Sequence, residues 1–141
     1  MVTSLGHEFR SKAIILAIGL EPKQLNADFE HRFLGLGVSY YAKSDPTAYK
    51  DANVVVIGGG NCACYAADYL SDFAAHVYMV HTFDQLRAVK KLKQRIEQNP
   101  NITIMWNSKI TELFGVDHVE RVKTENMLNG QSTWLDAQGV F

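Results

Sequence analysis

The stretch Asn53-Val54-Val55-Val56-Ile57-Gly58-Gly59-Gly60-Asn61-Cys62-Ala63 decides the fold. Four apolar β-branched residues read as a strand buried on both faces, as in a parallel sheet. Glycines follow at once, and then a helix of small residues. Gly58, Gly60 and Ala63 fit the G-x-G-x-x-G/A pattern of a dinucleotide-binding turn. Gly58 permits the tight strand-to-helix turn. Gly60 lets a pyrophosphate approach the backbone, where free N–H groups and the helix dipole favour an anion. Ala63 lets the helix sit close to the sheet. A purely structural strand–helix turn is the competing reading of the same residues.

Working outward, strand 53–57, a helix over about 61–73 and a strand over about 77–81 form one unit. Ala63, Ala66, Ala67 and Leu70 fall at i, i+3, i+4 and i+7, a small-residue face suited to close packing on a sheet. Thr82-x-x-Gln85 is a capping-box pattern, which predicts Thr82 as N-cap of a helix running to about residue 98. Asn99-Pro100 stops it. Residues 102–106 read as a third buried strand, and strands alternating with helices imply right-handed crossovers and a parallel sheet. The C-terminal third differs. Residues 109–114, 118–124 and 132–135 read as three strands, with Asn129-Gly130 a good hairpin turn between the last two. The fold class expected is α/β: a Rossmann-like three-layer domain with a central parallel sheet and an antiparallel β-meander.

Upstream, residues 13–18 (Ala-Ile-Ile-Leu-Ala-Ile) follow Arg10 and Lys12 and superficially mimic a signal peptide. The run is short, Glu8 lies in the supposed basic region, and no small-x-small cleavage site follows. It is also too short to span a bilayer. A buried strand is the expectation. Residues 19–37 lack periodicity and read as a linker. Gly35-Leu36-Gly37 begins a G-x-G pattern but has no strand before it and no helix after it, so it is set aside. Residues 38–41 read as a short strand and Ser44-Asp45-Pro46 as a turn.

A chain of 141 residues supports one domain with an appended strand or arm. The net charge of −1 provides no field for nucleic acid or an anionic membrane, and neither is expected as a partner. Lys90, Lys91, Lys93 and Arg95 form a basic run that reads as a solvated helix face. Cys62 and Cys64 lie two apart on a helix and point to different faces, so no internal bridge is expected. That usage fits a cytoplasmic setting. Cys62 stands near a helix N-terminus, where it reads either as a reactive thiol or as a small polar filler. Cys64 reads as a packed small hydrophobe. His7, His31, His76 and His118 show no metal spacing. Trp106 and Trp134 read as packing residues.

With these motifs in place, the chain resembles the pyridine-nucleotide domain of the thioredoxin reductase family of flavoproteins, the class II pyridine nucleotide-disulfide oxidoreductases. Residues 13–19 resemble a strand that closes the first half of the flavin domain. Residues 35–40 resemble the family's Gly-x-Gly-Val-Ser run, and residues 58–63 its second nucleotide motif. Tyr69-Leu70-Ser71 and the strand ending at His81 also match. Residues 107–115 and 135–141 resemble the strands leading back to the flavin domain. The resemblance implies residues 1–37 as crossing strand and linker from a flavin domain, and 38–141 as the NAD(P)-binding domain. It implies an excised domain of an oxidoreductase, with FAD held only by the full-length parent, and it allows a homodimer of that parent.

The departures carry as much meaning. The family's Cys-x-x-Cys window reads Tyr41-Ala42-Lys43-Ser44 here, followed by Asp45. Dithiol exchange needs a thiolate nucleophile and a resolving sulfur. Tyr41 and Ser44 supply neither, so no catalytic residue is expected in this chain. The family's NADPH members carry His-Arg-Arg-x-x-x-Arg; this chain has His81-Thr82-Phe83-Asp84-Gln85-Leu86-Arg87. Two guanidinium partners of a 2′-phosphate are missing, at about 1.5–3 kcal/mol for each charge-assisted bond. No acidic residue ends the second strand either, where NAD enzymes place one. A weak preference between NADP and NAD is therefore expected. The expected nucleotide contacts are Gly58, Gly59, Gly60, Asn61, Cys62, Ala63, His81, Thr82 and Arg87. For His81 and Arg87 the readings stay double: a contact to ribose or phosphate, or a strand end and a solvated side chain. Two alternatives stand beside this reading. One is a ferredoxin or flavodoxin–NADP reductase-like enzyme, and the other a degenerate, non-catalytic module that keeps the nucleotide-binding fold.

Overall fold

The computed structural model describes residues 5–19, 24–25, 28–42 and 46–141. Strand β1 (Asn53–Ile57) lies inside a parallel sheet of order β3-β2-β1-β7, with β2 at His76–Val80, β3 at Ile102–Met105 and β7 at Gly139–Val140. Val54 pairs with Val77 on one side and with Gly139 on the other. Val54 and Val56 face helices α2 (Asn61–Leu70) and α3 (Lys90–Gln98), while Val55 faces the opposite layer. All three are buried, which is why the strand is apolar at every position rather than alternating. Each such side chain contributes about 1.5–3 kcal/mol on burial.

The second layer is an antiparallel meander of β4 (Ser108–Phe114), β5 (Arg121–Asn126) and β6 (Ser132–Asp136). Val122 and Leu135, paired across β5 and β6, join Val55, Val80 and Val140 in a core between the two sheets. The β5–β6 hairpin turns at Gly130, whose φ of 70° favours glycine. There the Gly130 N–H donates to the Asn126 carbonyl. The result is three layers, with helices, a parallel sheet and a meander, as the sequence implied.

Several local expectations change. Helix α2 ends at Leu70 rather than 73, because residues 71–73 tighten into a turn in which the Phe73 N–H bonds Leu70 O. Residues 82–89 are not helical and Thr82 caps nothing; α3 starts at Lys90 with Val89 at its N-cap. The reason is competition for the backbone. Arg87 N–H donates to Gly59 O at 2.7 Å, and Val89 N–H to Asn61 Oδ1 at 2.9 Å. These tertiary bonds replace the bonds a helical turn would make.

Residues 13–19 form no strand and are exposed throughout, with Ile15 at 93% and Ile18 at 87%. A strand needs a neighbour to satisfy its N–H and C=O groups, and no described strand lies beside it. The presumed linker 19–37 contains a helix, α1 (Asp28–Phe33), which buries Phe33 in the inter-sheet core. Of residues 38–41 only Val38 pairs, through single bridges to Leu34 and Val140. Strand β5 starts at Arg121, because the chain bends at residues 116–118 and Glu120 N–H bonds Phe114 O. Of the expected Ser44-Asp45-Pro46 turn, the first two residues lie outside the described residues; Pro46–Tyr49 is a short 3₁₀ helix. No described helix is long and apolar enough to cross a membrane.

Candidate functional site

The glycine turn sits at the carboxyl end of β1, where α/β sheets place their ligands. Gly58 has φ +113°, a conformation that L side chains rarely adopt, and a Cβ there would stand 3.3 Å from Ala63 Cβ. Both Gly58 and Ala63 therefore do what the pattern demands: the chain reverses sharply and the helix packs close. Gly60 behaves differently. It is the N-cap of α2 with φ −85°, open to any residue, and a Cβ there would meet no atom within 4 Å. Nothing in the fold itself requires glycine at 60. Gly60 has no side chain, so it caps none of the first N–H groups of α2.

The middle glycine has a third role. A Cβ on Gly59 would lie 2.5 Å from His81 Nε2. His81 is buried, follows β2, and places Nε2 3.1 Å from the Gln85 carbonyl oxygen. Its ring meets those of Phe83 (5.4 Å) and Trp106 (6.3 Å). The imidazole is thus packed beneath the glycine turn.

Asn61 and Cys62 are exposed at the start of α2, and Asn61 spends its oxygen on the Val89 N–H. Cys64, one turn inward, is fully buried. Burial pushes its thiol up to about 11, with Glu97 adding to the shift and Lys93 opposing it. Thr82 is exposed. Arg87 lays its guanidinium over the Phe83 ring at 3.9 Å, while its own N–H is tied to Gly59. The structure thus brings Gly58 to Ala63, His81 and Arg87 around one turn. Phe83, absent from the expected set, is the added member; an aromatic four residues before an arginine was its only sequence signal. Tyr41 is exposed, and Ser44 lies outside the described residues.

The fold is α/β with a glycine turn at the carboxyl end of β1, and comparison with known proteins specifies the family. The pyridine nucleotide-disulphide oxidoreductase family matches residues 2–141, and the chain belongs to that family. Thioredoxin reductase of Peptoclostridium acidaminophilum is 39% identical over 126 residues, which is 89% of this chain and 40% of that protein. Thioredoxin reductase of Rickettsia felis is 36% identical over 142 residues, 99% of this chain and 46% of its own length. The crystal structure of thioredoxin reductase from Streptococcus pyogenes superposes with a TM-score of 0.82 at 38% identity, covering 86% of this chain and 40% of that one. The chain therefore spans less than half the length of these relatives.

Proposed function

We propose that this chain is the pyridine-nucleotide domain of a thioredoxin reductase-like flavoprotein and that it binds NADPH or NADH at the glycine turn. The observation that carries the reading is Gly60. Its backbone is ordinary and its surroundings are open, so the residue type is explained by close approach of a ligand rather than by the fold. The N–H groups of the first turn of α2 would hold the pyrophosphate, helped by the helix dipole. Gly58 and Ala63 set the turn, and Gly59 keeps it seated on His81. Arg87 would meet the adenosine end. When bound, the nucleotide supplies a hydride; this chain's residues hold and orient it.

Residues 38–141 would make up this domain, and residues 1–37 would lead to it from a flavin domain, with FAD bound only in the full-length parent, active in the cytoplasm. Tyr41 and Ser44 stand where the family's redox cysteines would, so electrons leaving the flavin would need an acceptor other than this chain's own dithiol. With Arg87 as the one arginine of the 81–87 segment, discrimination between NADPH and NADH would be weak.

The test is calorimetric titration with NADPH and with NADH, on the wild type and on Gly60→Asp. Saturable binding that the substitution abolishes places the ligand at the turn. Absence of heat with either nucleotide refutes the reading and favours a module that keeps the fold without the nucleotide.

A further inference from the structure

The segment that follows β2 is held by tertiary backbone bonds instead of helix formation. Arg87 N–H bonds Gly59 O at 2.7 Å, and Asn107 N–H bonds Phe83 O at 3.2 Å. Phe83 and Arg87 are thus both anchored at the carboxyl end of the sheet, beside the glycine turn. Their side chains meet. The Arg87 guanidinium carbon stands over the Phe83 ring, 3.9 Å from its centre, and the same ring meets the buried His81 imidazole at 5.4 Å.

A guanidinium laid on an aromatic ring is restrained yet keeps its N–H fork for a further partner. Among the described residues the Arg87 side chain has no hydrogen-bond or ion-pair partner. Asp84, the nearest acid in sequence, makes no ion pair with it. Nor does a carboxylate end β2, where one would hold a ribose hydroxyl. Dinucleotide domains that accept a 2′-phosphate place an arginine in this region, and a planar fork matches a phosphate. A free arginine would lose its rotamer freedom on binding; one already stacked loses less.

We infer that Phe83 is a positioning residue for the adenosine end of the nucleotide. Its ring holds the Arg87 guanidinium ready for the 2′-phosphate of NADPH, and so sets how far the chain favours NADPH over NADH. The inference rests on the reading of the glycine turn as a nucleotide site. It adds the group of the ligand that Arg87 meets and the side chain that fixes Arg87 there.

The test is calorimetric titration of NADPH and of NADH into the full chain as wild type, Phe83→Leu, Phe83→Tyr, Arg87→Gln and the double variant Phe83→Leu with Arg87→Gln. The wild type should bind NADPH the more tightly. Phe83→Leu should weaken NADPH by roughly three- to tenfold, the cost of ordering one long side chain on binding. NADH should weaken by a smaller factor, so that the ratio of the two dissociation constants moves toward unity. Phe83→Tyr keeps the ring and should keep the wild-type ratio. Arg87→Gln should bring the ratio to unity, and adding Phe83→Leu should then change nothing. Equal wild-type affinity for both nucleotides, an equal loss of both in Phe83→Leu, or NADPH binding that ignores Phe83→Leu overturns the inference and leaves the turn as the nucleotide site. So does a Phe83→Leu effect that persists without Arg87. Absence of binding of either nucleotide to the wild type overturns both readings. If circular dichroism shows Phe83→Leu unfolded, Phe83→Met takes its place with the same expectations.

Discussion

Replacing Gly59 by alanine inserts one methyl group where the imidazole of His81 already stands, 2.5 to 2.7 Å from three of its ring atoms. The ring has no easy retreat. Its backbone is pinned by bonds from His81 N–H to Met105 O and from Ser108 N–H to His81 O, and Nε2 lies against Gln85 O. Overpacking of this kind costs roughly 1–3 kcal/mol. Displacing the ring also gives up the contact to Gln85, worth about 1 kcal/mol. The sum is ~2–4 kcal/mol, or a fall in Tm of roughly 6–15 °C for a chain of this size. Urea unfolding of four proteins measures it: wild type, Gly59→Ala, His81→Ala and the double variant. Gly59→Ala should be strongly destabilising alone and cost less than about 1 kcal/mol once His81 is alanine, a coupling typical of side chains in contact. A single-variant loss under about 0.5 kcal/mol, or equal losses in both backgrounds, would refute the packing argument.

Raised from 9.0 to about 11, the Cys64 thiol keeps a proton in the folded chain that the unfolded chain releases between those values. Stability should therefore fall as pH rises through that window, by at most ~2–3 kcal/mol. Denaturation at about pH 8.5 and 10.5 should show a steeper loss for wild type than for Cys64→Ala. Asn61→Ala removes the acceptor of the Val89 N–H at 2.9 Å and should cost about 0.5–1.5 kcal/mol, with faster amide exchange at Val89 as its local signature. Asn101 donates to Ser71 O and Ala74 O beyond the end of α2, so Asn101→Ala should cost ~1–3 kcal/mol in a thermal melt.

The elements legible in the sequence were those whose signal is local. Four β-branched residues followed by glycines can hardly be other than a buried strand and a sharp turn, and β1 spans the residues expected. Asn129-Gly130 marks the β5–β6 hairpin, because that signal is complete within a few residues. The pattern Gly58-x-Gly60-x-x-Ala63 likewise carried its geometry in its own spacing. The capping box at Thr82 was a genuine local preference that lost: backbone donors at Arg87 and Val89 found acceptors on Gly59 and Asn61, residues far away in sequence.

What the sequence alone determined, then, is the parallel unit around β1, the meander and the glycine turn, since periodicity and backbone sterics act between near neighbours. Only the tertiary structure decided the rest. It made residues 13–18 an exposed segment, because an apolar run becomes a strand only beside a partner strand. It recruited Gly139 and Val140 as β7, because two residues carry no periodicity until β1 offers them a ladder. It seated Gly59 on His81 and stacked Arg87 on Phe83, because such contacts depend on which loops the sheet brings to its carboxyl end.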